Sequence, residues 1–165
     1  ALLDEQRSEP SPELVLVLGD GLSALGIQRH GAALVAAIVE ALAGSWRLGP
    51  LVLVRQARVA VADEVGERLK ASMVAMIVGE RPGLSSPDSV GIYLTHAPRV
   101  GCHDAQRNCI SNVRPDGQDL TTAARRLAWL LGAGRRLGCT GVALKDHSGL
   151  PLQAALPGAS TRALP

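Results

Sequence analysis

Met73-Val74-Ala75-Met76-Ile77-Val78-Gly79-Glu80-Arg81-Pro82-Gly83-Leu84-Ser85 passes from an apolar run straight into charge, with no spacer between them. An uninterrupted apolar run of this length reads as an interior parallel strand buried on both faces. In open α/β sheets ligands collect just beyond the carboxyl ends of such strands. Glu80 and Arg81 therefore mark a candidate crevice, although a solvated ion pair at an ordinary strand-to-loop corner has the same local sequence.

Toward the N-terminus the same pattern occurs twice more. Residues 14–18 (Leu-Val-Leu-Val-Leu) read as a first buried strand, stopped by Gly19-Asp20-Gly21, where glycine permits a tight turn and Ser23 can cap the following helix. That helix spans about 22–43, with Leu34, Ile38 and Leu42 on one stripe and a break or kink at His30-Gly31. Gly49-Pro50 leads into a second strand over 51–54, and Arg55-Gln56-Ala57-Arg58 place two guanidinium groups at its end. In the next helix Val61, Val65 and Leu69 face the sheet, and Asp63, Glu64, Glu67 and Lys70 face solvent. Strand, helix, strand, helix, strand in this order is the signature of parallel βαβ units with right-handed crossovers.

Beyond Ser85, residues 90–96 read as a fourth strand with Tyr93 and His96 near its exit. Residues 97–119 read as a long irregular loop rich in polar groups, and loops of that length inside compact domains usually carry function. Asp119 or Thr121 caps a last helix to about Arg136, Gly138 stops it, and 140–145 reads as a final short strand. The expectation is one layered, Rossmann-like α/β domain over 14–146, with a mostly parallel sheet and flanking helices. Residues 1–13, with Pro10 and Pro12, read as a loose arm, and 147–165 as a Pro-rich tail.

Composition narrows the function. The chain has 165 residues, no Phe, one Tyr and two Trp, so the core is aliphatic and base stacking on aromatic rings is disfavoured. Seventeen Lys and Arg against fifteen Asp and Glu, with no basic run, give no footprint for nucleic acid. The apolar runs at 14–18 and 32–42 are too short to cross a bilayer, so a soluble chain with no membrane partner is expected. A mean hydropathy of +0.17 suggests that another subunit covers some apolar surface. Three widely spaced cysteines form no CxxC pair, which points to a reducing cytoplasm.

Candidate chemistry is sparse. The glycines after the first strand fall as G-x-G-x-x-x-x-G, Asp20 would stand against a pyrophosphate, and Arg55 occupies the strand end where a dinucleotide site needs an acid. His30, His96, His103 and His147 lack metal-ligand spacing, and Ser23, Ser85 and Ser111 lack a nucleophile elbow. No catalytic residue and no metal ligand is expected on this chain. What remains is a row of polar groups at strand ends: Asp20, Arg55, Arg58, Glu80, Arg81, His96, Arg99 and the stretch from Asn108 to Arg114. Their convergence on one rim suits a large polar ligand held by many hydrogen bonds.

Five ordered blocks sharpen this: Asp20-Gly21-Leu22-Ser23-Ala24, Arg55-Gln56-Ala57-Arg58-Val59-Ala60, Gly79-Glu80-Arg81-Pro82-Gly83-Leu84-Ser85, Arg107-Asn108-Cys109-Ile110-Ser111-Asn112 and Leu144-Lys145-Asp146. Together they resemble the small subunit of ethanolamine ammonia-lyase. The resemblance implies an adenosylcobalamin-dependent lyase that converts ethanolamine to acetaldehyde and ammonia, with the substrate chemistry on a separate large subunit. It implies cofactor contacts from Arg58, Val59, Glu80 and Cys109, in a hetero-oligomer in the cytoplasm, inside or outside a bacterial microcompartment. No D-x-H-x-x-G is present, so cobalt is expected to keep its own dimethylbenzimidazole base. The family's small subunits have a longer N-terminal region than residues 1–13 allow, which is expected of a truncated or short form. The competing reading is a noncatalytic nucleotide-binding or scaffold module of the same fold.

Overall fold

The apolar run forms the middle strand, β3 (Met73–Gly79), of a five-stranded sheet in the order β2-β1-β3-β4-β5. The computed structural model describes residues 2–5 and 9–149, so most of the Pro-rich segment anticipated at 147–165 lies outside the described residues. β1 (Leu14–Gly19) pairs in parallel with both β3 and the short edge strand β2 (Val52–Val54). Every residue of β3 is buried. Its side chains alternate: Met73, Ala75 and Ile77 enter one core cluster, and Val74, Met76 and Val78 enter the other.

Helices cover these two faces unequally. On one face α3 (Ala32–Leu42) and α5 (Leu120–Leu137) pack side by side, contributing Leu34, Ile38 and Leu42 from the first and Leu127, Leu130 and Leu131 from the second. On the other face α4 (Val61–Arg68) lies over β1 and β3 through Ala62 and Val65, with Leu3 of the short α1 (Leu2–Glu5) beside it. Ahead of α3, a single turn α2 (Ala24–Gly26) and a π-helical turn (Ile27–Gly31) carry the chain without a break. The distortion anticipated at His30-Gly31 is thus a widened turn, and Gly31 comes close to Leu18 there. The uninterrupted run Ala24–Leu42, 19 residues, is long and apolar enough by length and composition to cross a membrane. Its Leu34, Ile38 and Leu42 nevertheless serve the core of this domain.

The sheet is mixed, which corrects the expectation of a mostly parallel one. β4 (Val90–His96) runs antiparallel to β3, and β5 (Arg107–Val113) antiparallel to β4. β3 and β4 are joined by the loop 80–89, with no crossover helix between them, and such a connection returns the chain beside itself in the opposite direction. The supposed long loop at 97–119 therefore contains the edge strand β5, preceded by a 3₁₀ turn (Asp104–Gln106). The expected last strand at 140–145 is instead a 3₁₀ turn (Gly141–Ala143) sewn to β5 by the Asn108 side chain. Asn108 accepts from the Gly141 N–H at 2.8 Å and donates to the Leu144 carbonyl at 2.8 Å.

One buried ion pair ties the antiparallel half to α4. The Arg107 guanidinium donates to both oxygens of Asp63, at 2.6 and 2.7 Å, and also to Thr95 Oγ1 and the Cys102 carbonyl. Asp63 is only 1% exposed, contrary to its expected place on the solvent face of α4, because its partner arrives from a strand 44 residues away. Hydrogen bonding to Asp63 raises the Arg107 pKa above its ordinary value, so the guanidinium stays charged.

Removing Asp63 strips Arg107 of its buried counter-charge and leaves it only the solvent-exposed Asp104, 3.5 Å from its Nε. Asp63→Ala is expected to destabilise the fold by about 3–5 kcal/mol in urea unfolding. The joint replacement Asp63→Leu/Arg107→Met is expected to cost less than the single change. A single change costing under about 1 kcal/mol would show that the pair does not hold β5 against α4.

Candidate functional site

The rim at the carboxyl ends of β1, β2 and β3 is assembled by backbone contact. Gly21 has φ of +59°, a left-handed conformation that glycine adopts without strain, and the Leu22 N–H donates to the Gly79 carbonyl at 2.8 Å. A Cβ on Gly79 would collide with the Ser23 carbonyl oxygen, so the turn after β1 can lie directly on the end of β3 only if residue 79 is glycine. The glycines after β1 thus serve chain packing, in keeping with the failed dinucleotide spacing.

Asp20 then fastens the next segment. Its carboxylate accepts from the backbone N–H groups of Gln56 and Ala57, both at 2.8 Å, which fixes the loop leading from β2 to α4. The Gln56 N–H first, and then that of Ala57, hold the Asp20 pKa below its ordinary value. With the loop fixed, Arg58 Nη1 donates to the carbonyls of Gly21 at 3.1 Å and Ala57 at 2.7 Å. One nitrogen of its guanidinium is spent on the rim.

Glu80 emerges at the end of β3. Its Oε2 accepts the Ser89 hydroxyl and, at 3.0 Å, the Asn112 backbone N–H. Its own N–H donates to the Ser89 carbonyl at 3.0 Å. Glu80 therefore anchors the base of the loop 81–88, which is also pinned where Asp88 accepts from Arg29 at 3.0 Å and pairs with His30 at 3.1 Å. The expected Ser23 cap is present, and the same hydroxyl donates to the Pro87 carbonyl at 2.9 Å.

Between these segments lies a cleft of about 410 Å³ lined by Arg58, Val59, Glu80, Arg81, Tyr93 and the Gly21-Leu22 turn. That volume falls within the range of small-molecule sites. Cys109 stands next to it on β5, directly opposite Tyr93 in the strand register. Desolvation pushes the Tyr93 phenol up to about 12 and lifts the Cys109 thiol as well. Both stay neutral near pH 7, so Cys109 has the character of a contact residue and not of an activated nucleophile. On this side α4 reaches β4 and β5 at Thr95 and Arg107, through Asp63, but beyond them Tyr93 is half-buried and Cys109 and Ser111 are exposed.

Of the sequence-expected site residues, Arg58, Val59 and Glu80 share one cleft, Arg81 is on its edge and Cys109 adjoins it. His96 and Arg99 do not belong to this rim. Because β4 is antiparallel, His96 pairs with Met73 at the opposite end of β3. Asn108 is likewise removed, its side chain holding the segment after α5. Sequence reasoning passed over Ser89 and Gly91. The available signal was Gly91 itself, since a glycine inside an apolar strand marks a close approach: a Cβ there would stand 2.8 Å from Glu80 Oε1.

Comparison with known proteins gives one result throughout. A family model, "Ethanolamine ammonia-lyase light chain (EutC)", matches residues 1–145. A curated ethanolamine ammonia-lyase small subunit of Ralstonia nicotianae is 55% identical over 141 residues, which cover 85% of this chain and 52% of the relative. Its counterpart in Azotobacter vinelandii is 54% identical over 137 residues, 82% of this chain and 51% of the relative. One from Xanthomonas campestris is 51% identical over 142 residues, 85% and 52% of the respective chains. The chain thus spans about half the length of the curated relatives it matches.

The Asp20 clamp has a definite pH signature. A carboxyl whose folded pKa is depressed contributes stability that is present above its unfolded pKa, about 3.9, and lost as pH falls through the folded value. Amide exchange at Gln56 and Ala57 is expected to accelerate only below about pH 4. In Asp20→Ala it should be fast, apart from the intrinsic chemical trend, at every pH from 3 to 7. Equal protection in parent and variant at pH 6 would rule the clamp out.

Proposed function

Because the chain belongs to the ethanolamine ammonia-lyase light-chain family, we propose that it holds one face of adenosylcobalamin against a separate large subunit, on which ethanolamine is converted to acetaldehyde and ammonia. The observation that carries this reading is that residues from the ends of β2 and β3, Arg58, Val59 and Glu80, surround one cleft with Cys109 on the adjoining strand. The donor set suits a corrinoid. Glu80 offers an acceptor, Arg58 offers donors, and Val59 with the Tyr93 ring offers apolar surface, while the cofactor's periphery presents amides around an apolar macrocycle.

When bound, adenosylcobalamin supplies the radical chemistry, and the residues of this chain bind and orient it and keep water away. The cleft is open on the side where Cys109 and Ser111 are exposed. A large subunit closing over that side would complete the enclosure. Leu22, 49% exposed beside the cleft, and Leu84, fully exposed on the loop after Glu80, provide apolar surface for such a contact. The cytoplasmic setting, with or without a microcompartment, belongs to the same proposal.

None of the four histidines lines the cleft. His30 is engaged with Asp88, His96 is on the opposite rim, His103 precedes the 3₁₀ turn, and His147 stacks on Trp129. No histidine of this chain would therefore stand where it could replace the cofactor's own dimethylbenzimidazole base.

Two measurements test the proposal. In complex with the large subunit, Glu80→Gln leaves an acceptor for Ser89 and Asn112 but places an N–H₂ donor where Oε1 stood. Loss of a hydrogen bond to a charged group costs about 1.5–3 kcal/mol, so cofactor affinity is expected to drop by roughly tenfold or more. Unchanged affinity would overturn the reading. Electron spin resonance of the holoenzyme should show no coupling to nitrogen-15 introduced only into this chain's histidines. A histidine nitrogen from this chain on cobalt would refute the retained base.

A further inference from the structure

The end of β5 departs from regular strand geometry beside the cleft. Ile92 pairs with Ile110 and Val90 with Val113, so two steps along β4 match three along β5. The extra residue forms a bulge at Ser111-Asn112, and Asn112 has φ of +55°, in the left-handed region. Its carbonyl is held by the Gln118 N–H at 2.9 Å, and its Oδ1 by Arg114 Nε at 3.0 Å. The bulge turns the Asn112 N–H inward onto Glu80 Oε2. From the other side Ser89, only 5% exposed, donates its hydroxyl to the same oxygen.

Both donors thus converge on Oε2, and among the described residues no hydrogen bond reaches Oε1. Oε1 lies over Gly91, whose missing side chain leaves room for it, next to the Tyr93 ring that lines the cleft. Glu80 and Arg58 line the same cleft without forming an ion pair among the described residues, so an acceptor and a donor are both left for a ligand. We infer that Ser89 and Asn112 are positioning residues that fix the Glu80 rotamer so that Oε1 accepts the N–H of a primary carboxamide of the ligand. This rests on the cofactor-holding reading above.

The chemistry selects that group. A carboxamide matches one acceptor and one donor at once, whereas a carboxylate would meet the Glu80 charge and an ammonium the Arg58 charge. A single free lone-pair edge on a fixed carboxylate also loses little side-chain freedom on binding.

The test uses the complex of this full chain with the large subunit, titrated by absorbance with adenosylcobalamin and with its derivatives in which one peripheral carboxamide is hydrolysed to carboxylate. Ser89→Ala is expected to weaken adenosylcobalamin binding about tenfold. It should have no further effect in a Glu80→Ala background, because Ser89 acts through Glu80. The parent should bind at least one monocarboxylate derivative at least tenfold more weakly than the amide, and Glu80→Gln should narrow that ratio.

Additive losses for Ser89→Ala and Glu80→Ala, or uniform binding of all the monocarboxylates by the parent, would overturn the inference. If Ser89→Ala does not fold, the nearly isosteric Ser89→Cys, a weak donor, carries the same expectation. Failure of both to fold would assign Ser89 to the fold and also overturn it. An unchanged affinity in Glu80→Ala would instead bring down the cofactor-holding reading itself, so the two failures are told apart.

Discussion

Direct backbone contact between the turn after β1 and the last residue of β3 sets the geometry of this molecule. Gly21 and Gly79 meet without a Cβ between them, and the Leu22 N–H bonds to the Gly79 carbonyl. From that contact the rim follows in order. Asp20 is left facing the next loop and captures the Gln56 and Ala57 amides, which brings Arg58 and Val59 to the same edge. Glu80, one residue beyond the contact, has nowhere to go but out over the rim. A side chain at either glycine would separate the segments and with them the polar groups of the cleft.

The second half of the sheet serves a different end. In β1 and β3 both faces are covered, and burial dictates almost every residue. In β4 and β5 one face packs on α5 while the other carries Tyr93, Cys109 and Ser111 beside the cleft. That half therefore cannot be held to the body by apolar packing on both sides. The Arg107–Asp63 pair does so from within, with Thr95 and the Cys102 carbonyl taking further N–H groups of the guanidinium. A buried, charge-assisted network costs desolvation but fixes orientation. Here the orientation is what a ligand-facing sheet surface needs.

Loop 80–89 connects the two halves and draws on both. Glu80 bonds to Ser89 within the loop and to Asn112 across the sheet, while Asp88 reaches back to Arg29 and His30. The acid that reads from the sequence as a ligand contact is thus also a structural fastener. Its two oxygens divide the tasks, Oε2 toward the protein and Oε1 toward the cleft.

How much of this the chain declares in advance depends on how each element is buried. Strands β1 and β3 were legible because an interior parallel strand is apolar throughout, and α4 and α5 because their stripes repeat at helical spacing. Strand β5 was not, because its bulge puts Ile110 and Val113 inward three residues apart and its uncovered face is polar, which erases the alternation of period two. Asp63 was misread as solvated because nothing near it in sequence reveals Arg107. The wrong rim for His96 followed from assuming a parallel β4, since strand patterns carry no direction.

The sequence by itself determined the layered α/β core and the family, through local periodicity and five ordered blocks of residues that need no coordinates to compare. Of the contacts that the family resemblance implied, Arg58, Val59 and Glu80 line one cleft and Cys109 adjoins it. Only the tertiary structure decided the direction of β4, the burial of Asp63 and the division of labour within Glu80. Each of these depends on contacts between segments distant along the chain, and such contacts leave no periodic trace in either partner alone.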